Sequence, residues 1–347
     1  MKGWRNPGVM AAMGAALLFG AGAPVAKLLL GSMSPWLLAG LLYLGSGVGL
    51  ALARQFRRTE PVGLARGEVK WLAIAVATGG VIGPVLLMVG LSRMPASAVS
   101  LLLNAEGVFT ALLAWFVFHE NFDRRIAIGM ALIVIGALVL SWPEDITFGS
   151  ALPALAVVGA CFSWAIDNNL TRKIALADAT FTAMTKGLVA GAVNVTIALT
   201  LGATLPSPQV VAAACVVGFL SFGASLVLFV VALRHLGAAR TGAYFSIAPF
   251  AGALISFVLL GETVTATLAL AGLLMGAGVW LHLIERHDHA HAHDALEHTH
   301  EHVHDEHHQH EHDNLVPDDT RHTHRHGHDP ISHAHPHYPD THHGHRH

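Results

Sequence analysis

Glu106 stands near the middle of the apolar run 96–118, about 15 Å from either end at 1.5 Å per residue. An ionisable side chain at that depth is costly to bury and is expected to face a cavity or a partner. Two readings follow: a carboxylate that contacts substrate or carries a proton, or a hydrogen-bonded structural group between helices. Asn104 and Thr110 lie close by, with Thr110 on the Glu106 face at i+4. The densest polar cluster in an apolar run is Asp167-Asn168-Asn169. Lys186 lies at similar depth in the next run, so Asp167 and Lys186 are expected to pair across adjacent antiparallel helices, lowering the cost of both. The competing partners for Asp167 are Arg172 and Lys173, which would make it interfacial glue. Thr182, Lys186 and Asn194 share a helix face by their spacing. Pro249, with Gly252 three residues on, interrupts another run, as a cavity-lining helix would or as a tolerated kink.

The third chemical feature is a histidine-rich tail. Of 26 histidines, 23 follow position 286. A first block holds His287, His289, His291, His293, His298, His300, His302, His304, His307, His308, His310 and His312, interspersed with Asp and Glu. Imidazoles mixed with carboxylates suit zinc, nickel, cobalt or copper, and binding is expected to weaken below about pH 6.5, where imidazole protonates. A solvated tail that meets metal only incidentally is the alternative. Low apolar content and high charge predict a disordered segment. The rest of the chain requires no cofactor. Nothing resembles a phosphate-binding loop, a Ser/His/Asp set or a zinc-protease motif, so the chain reads as a non-enzyme. The two cysteines, Cys161 and Cys215, stand singly inside apolar runs.

The elements that must position these residues are membrane helices. Of 347 residues, 53% are hydrophobic and 12% charged, a balance expected of a polytopic membrane protein. Ten runs reach the length needed to cross the hydrocarbon: 8–30, 35–53, 69–91, 96–118, 124–141, 150–170, 180–202, 209–233, 238–260 and 264–284. The first is expected to be a retained helix, since it continues past the possible cleavage site at Ala21-Gly22-Ala23. With the N-terminus inside, the short inner segments carry nearly all Lys and Arg, and the outer loops carry only Arg93. Both termini are therefore expected in the cytoplasm. Residues 1–286 hold 17 Lys and Arg against 11 Asp and Glu, whereas residues 287–347 hold 3 against 12, so two physically different regions meet near Arg286.

The membrane region repeats itself. Gly83–Glu120 returns without a gap as Ser225–Glu262; Val85, Leu86, Val89, Leu91, Ala96, Ala111, Leu112 and Glu120 meet identical residues 142 positions later. Five helices per copy is an odd number, so the second copy must enter the membrane inverted, a recurrent plan of secondary transporters. The expected organisation is a first five-helix repeat over 1–141, a second, inverted one over 142–286, and the tail over 287–347. Lys27 and Arg172 are expected as interfacial anchors, and Glu120 and Glu262 as caps or loop closures. Close helix contact is expected at Gly272–Gly276 and at Gly129 with Gly136.

Ten helices in two halves, with spans ending in Phe118-His119-Glu120 and Leu260-Gly261-Glu262, resemble the drug/metabolite transporter superfamily, EamA-type branch. The resemblance covers residues 8–284. It implies a ten-helix bundle that moves small organic solutes, often outward, across the bacterial inner membrane. It fixes no substrate. The first reading is a metabolite exporter with a metal-binding tail. The alternatives are a divalent-metal transporter whose tail gathers its substrate, and a membrane-anchored metal buffer or sensor. Expected partners are the lipid bilayer, a small-molecule or metal-ion substrate and, as an option, a second copy of the chain, with no nucleic acid.

Overall fold

The computed structural model describes residues 7–55, 67–118, 124–142, 151–172 and 179–283, and in the tail 287–293, 296–302, 322–328 and 331–337. It forms two units, one up to Glu285 and one from Arg286. The first is all helical: α1 (Pro7–Leu29), α2 (Pro35–Gln55), α3 (Val69–Ala75), α4 (Gly83–Arg93), α5 (Ala96–Leu102), α6 (Ala105–Phe118), α7 (Arg124–Ser141), α8 (Leu152–Arg172), α9 (Ala179–Thr200), α10 (Pro208–Gly218), α11 (Ser225–Phe245), α12 (Ala248–Leu260) and α13 (Ala266–Leu283). Seven helical stretches among the described residues are long and apolar enough to cross a membrane, and Ile126–Ser141 and Ala266–Leu281 are shorter apolar helices.

Two spans expected to be uniform are not. A π-helical segment, Val76–Ile82, joins α3 to α4, and a second, Phe219–Ala224, joins α10 to α11. Both end 142 residues apart, at the repeat offset. Helix 96–118 breaks at Leu103-Asn104, and its repeat mate breaks at Ser246-Ile247, within one residue of the same offset. The copies differ at one junction. Pro95 lacks an N–H and forces Met94 out of helix (φ −120°, ψ 156°), as expected of a residue before proline. The corresponding Arg234-His235-Leu236-Gly237 has no proline, and helical backbone runs on through it in α11, contrary to the break expected there.

Much of the packing recurs when the copies are exchanged. α1 packs on α11 and α12, while α8, its repeat mate, packs on α4 and α6; α2 packs on its mate α9, and α7 on its mate α13. Glycine lets α2 and α9 touch backbone to backbone: a Cβ on Gly187 would lie 2.7 Å from Gly47 Cα, and one on Gly191 would lie 2.5 Å from Leu44 N. Between α7 and α13 the close contacts fall at Gly136 against Met275 and Ala271, and at Gly278 against Gly129. Gly272 and Gly276 meet neighbours only at ordinary distances, so the expected Gly272–Gly276 step is not the contact surface. The core gathers Leu37, Leu38, Leu42, Met88, Leu91, Val99, Leu102, Val157 and Met275.

One contact locks the copies together. Glu262, just after α12 of the second copy, accepts hydrogen bonds from Ala96 N (2.6 Å) and Ser97 N (2.9 Å) at the start of α5 in the first copy. Lys27 donates to the Leu91 and Met94 carbonyls that end α4. The glutamate was expected to cap, and it caps the other repeat's helix, where a carboxylate meets the unsatisfied N–H groups and the positive end of the dipole. Lys27, expected as an anchor, is a C-cap. Glu120 lies outside the described residues. Glu262→Ala is expected to cost about 1–3 kcal/mol, measured as lower thermal stability of the detergent-extracted protein, with Glu262→Gln intermediate because its amide oxygen still accepts one bond.

The tail unit differs from its expectation of disorder. β1 (His287–His293) pairs antiparallel with β4 (Ile331–His337), and β2 (Leu296–His302) with β3 (His322–His328). Alternation of histidine with other residues has the period of a strand.

Candidate functional site

Asp167 and Lys186 meet as expected, from α8 and α9. Lys186 Nζ lies 2.6 Å from Asp167 Oδ1 and 2.5 Å from Oδ2. Their side chains are 17% and 7% exposed respectively, so both charges are largely removed from solvent. Thr171 Oγ1 donates to the same carboxylate at 3.0 Å. The side chain of Arg172 lies outside the described ones, and Lys173 outside the described residues.

The first π-helical segment brings backbone to this pair. Asp167 packs directly on Gly79, leaving no room for a Cβ there. The Gly79 carbonyl accepts from Tyr43 Oη (2.8 Å) and Trp164 Nε1 (2.9 Å). Asn194 Nδ2 donates to the carbonyls of Gly80 (3.3 Å) and Val81 (3.4 Å). A π-segment departs from the regular helical ladder and recurs at functional sites; here side chains from α2, α8 and α9 all converge on its carbonyls. Asn194 is fully buried, and its Oδ1 and the Thr182 hydroxyl have no hydrogen-bond partner among the described residues. The expected polar face of α9 is thus present.

Glu106 is set differently from its expected mid-helix position. The Leu103-Asn104 break places it in the first turn of α6, so a carboxylate meets a helix N-terminus at membrane depth, where the dipole favours negative charge. Its Oε1 accepts from Asn168 Nδ2 at 2.8 Å, and the same amide lies 3.4 Å from Thr110 Oγ1. Glu106 is half-buried and Asn168 exposed. Three residues on from Glu106, Phe109 packs edge to face with Phe162 of α8, centroids 5.5 Å apart. Asn169, next on α8, donates to the Thr110 (3.2 Å) and Ala165 (2.9 Å) carbonyls. Consecutive residues of α8 therefore serve two groups: Asp167 turns to Lys186, and Asn168 turns to Glu106. Glu106 lies within electrostatic reach of both Asp167 and Lys186, and Tyr43 within reach of both carboxylates. Read along the chain, Glu106 and Asp167 stand at different depths; Asn168 of α8 joins their groups.

Two candidates have local roles. Asn104 is buried and donates to Leu101 O at 2.8 Å, with Met275 Sδ 4.0 Å away; it satisfies the helix break. Pro249 sits in the first turn of α12, where its missing N–H costs nothing, so the interruption is the break before it. Around it Phe19, Gly20, Ser100 and Leu103 leave a small cleft. Tyr43, Trp164 and Gly79 were missed by sequence reasoning. The signal for Gly79 is the Gly79-Gly80 pair inside a span. Tyr43 and Trp164 carry none that separates them from packing residues.

A fold of two pseudo-symmetric helical copies, with polar groups gathered at helix interruptions, is that of a membrane transporter. The EamA-like transporter family model matches residues 6–142 and 151–284, so the chain belongs to that family and is a multi-pass membrane protein of the drug/metabolite transporter superfamily. An uncharacterized transporter of Methanothermobacter thermautotrophicus is 29% identical over 294 residues, covering 79% of this chain and 85% of the relative. A probable amino-acid metabolite efflux pump of Salmonella typhimurium is 40% identical over 85 residues, 23% of this chain and 27% of the pump. A probable 4-amino-4-deoxy-L-arabinose-phosphoundecaprenol flippase subunit ArnE of Pseudomonas fluorescens is 32% identical over 105 residues, 30% of this chain and 91% of the subunit. A solved crystal structure superposes with a TM-score of 0.60 at 17% identity, over 79% of this chain and 96% of that one, which speaks to the fold alone.

Proposed function

We propose that the protein is a secondary-active exporter of small organic metabolites carrying an ammonium group, working by alternating access in the bacterial inner membrane with both termini cytoplasmic. The observation that carries this reading is the Glu106 carboxylate, held by Asn168 at an interrupted helix, half-accessible, three residues before the Phe109 that packs on Phe162, and linked electrostatically to the Asp167–Lys186 pair. A carboxylate beside aromatic rings suits an ammonium group with an apolar body. The amino-acid metabolite efflux pumps among the relatives agree with that chemistry. Exchange of conformation between the two copies would expose the site to either side, and Lys186, released from Asp167, would give the cycle a charge to return to.

The test is transport into inside-out vesicles against a panel of amino acids, other metabolites and divalent metals. Uptake of amino-acid-type solutes, competed by analogues that keep the ammonium group, is the expected result. Flux of metal alone would overturn the reading in favour of a metal transporter, and no flux would favour a buffer or sensor. Reporter fusions at Met1 and after Arg286 are expected to read cytoplasmic; an external location for either would break the inverted five-plus-five plan.

A further inference from the structure

The two tail ladders share one register. His287, His289 and His291 stand directly opposite His337, His335 and His333. His298, His300 and His302 stand directly opposite His326, His324 and His322. In both arms the histidines switch from odd to even positions at the same level, between β1 and β2 and between β3 and β4. Six histidine pairs are thus mirrored about residue 312, whereas His293 stands opposite Ile331 and His328 opposite Leu296; the mirror is the pairing register of a hairpin. A merely histidine-rich segment has no need of such matching.

Directly opposite residues on an antiparallel pair share a face with Cβ atoms about 4.5–5.5 Å apart, and alternate residues along a strand lie about 6.6 Å apart. Two adjacent levels therefore place four histidines on one face of the ladder by register. Zinc takes four ligands with Zn–N near 2.0–2.1 Å, and imidazole also suits nickel and copper. We propose that the tail is a metal-zipped hairpin in which each ladder holds one divalent transition-metal ion between adjacent cross-strand histidine pairs, so that metal binding and strand pairing are one event. The ion itself would draw the paired histidines together, as in domains whose metal binding is coupled to folding. The inference is independent of what the membrane unit carries.

The register supplies a test in which composition is held constant. In the full-length protein, zinc retained after gel filtration is expected at about two ions per chain. His289→Ala with His335→Ala removes the middle level of the first ladder and leaves no adjacent pair of levels there; retained zinc is expected to fall to about one ion. His287→Ala with His337→Ala removes the same number of histidines from the end of that ladder, keeps one four-imidazole set, and is expected to leave retention unchanged. Equal losses in the two variants would overturn the register, and retention no greater than that of a chain truncated after Arg286 would overturn the site. Spin labels at Ala290 and Ala334, which are register partners, in a Cys161→Ala, Cys215→Ala background, should show dipolar broadening when zinc is added and lose it with EDTA. Labels at Ala290 and Thr323 should show none. Full broadening without zinc would refute the coupling of pairing to metal. Zinc-dependent amide protection over 287–302 and 322–337 in the unsubstituted protein gives the same readout without any labels, and its absence alongside zinc retention would likewise overturn the proposal.

Discussion

Lys186→Met is expected to give little folded protein, and adding Asp167→Asn to it is expected to restore the yield without restoring transport. Lys186 Nζ sits 2.6 and 2.5 Å from the two Asp167 oxygens. With the side chains 17% and 7% exposed, solvent screens the pair weakly. Removing one partner strands the other charge, which typically costs about 3–5 kcal/mol. That is a large share of the roughly 5–15 kcal/mol that holds a domain folded. The stranded carboxylate would also press on the Gly79 backbone, with Thr171 its one remaining side-chain donor among the described residues. The double variant leaves an amide that can still accept from Thr171, and an apolar stem where the lysine lay. The measurement is a double-mutant cycle on monodisperse yield and thermal stability in detergent, read beside vesicle transport. Coupling of at least about 2 kcal/mol is expected. Additive losses would mean that the two charges do not depend on one another, and full transport by the double variant would remove the pair from the mechanism.

The sequence carried the Asp167–Lys186 pair because its signal is one-dimensional: two charges at matching depth in consecutive spans joined by a short loop. Helical periodicity gave the α9 face of Thr182, Lys186 and Asn194 in the same way, and duplication at a fixed offset gave the two copies. What was not legible depends on backbone irregularity. The two π-segments and the Leu103-Asn104 break sit in apolar stretches where composition favours uniform helix, whereas Pro249 marked the second break, and all of them change which side chains can meet. The Leu103-Asn104 break turns Glu106 from a mid-helix group into an N-terminal one. The π-segment offers the Gly79 carbonyl to Tyr43 and Trp164, residues that look like core in any apolar pattern. Long-range capping was equally hidden: Glu262 reaches α5 across 165 and 166 residues of chain, and no local rule selects that partner. In the tail, histidine content was plain, but the mirrored spacing acquires meaning only with a strand register.

Glu106→Gln is expected to reduce transport about ten- to a hundredfold while membrane insertion and folded yield stay near those of the parent protein. Glutamine keeps the length of the side chain and an oxygen that can accept from Asn168 Nδ2, now 2.8 Å from Glu106 Oε1. The substitution therefore removes charge and keeps geometry. The charge is expected to matter to a bound ammonium group, since hydrogen bonds to charged groups contribute about 1.5–3 kcal/mol, and that range corresponds to the expected loss. The α6 N-terminus loses a favourable charge–dipole contact worth about 0.3–1 kcal/mol, too little to unfold the bundle. Asn168→Ala is the complementary variant. It leaves the carboxylate in place and removes the amide that fixes it, so its expected effect is a smaller loss, felt mainly as weaker apparent affinity for the solute. Vesicle uptake over a range of solute concentrations, normalised to protein recovered in the membrane, separates the two. Parental transport by a well-inserted Glu106→Gln protein would leave the carboxylate a structural group between α6 and α8, and the solute site would then have to be sought among the π-segment carbonyls and Asn194.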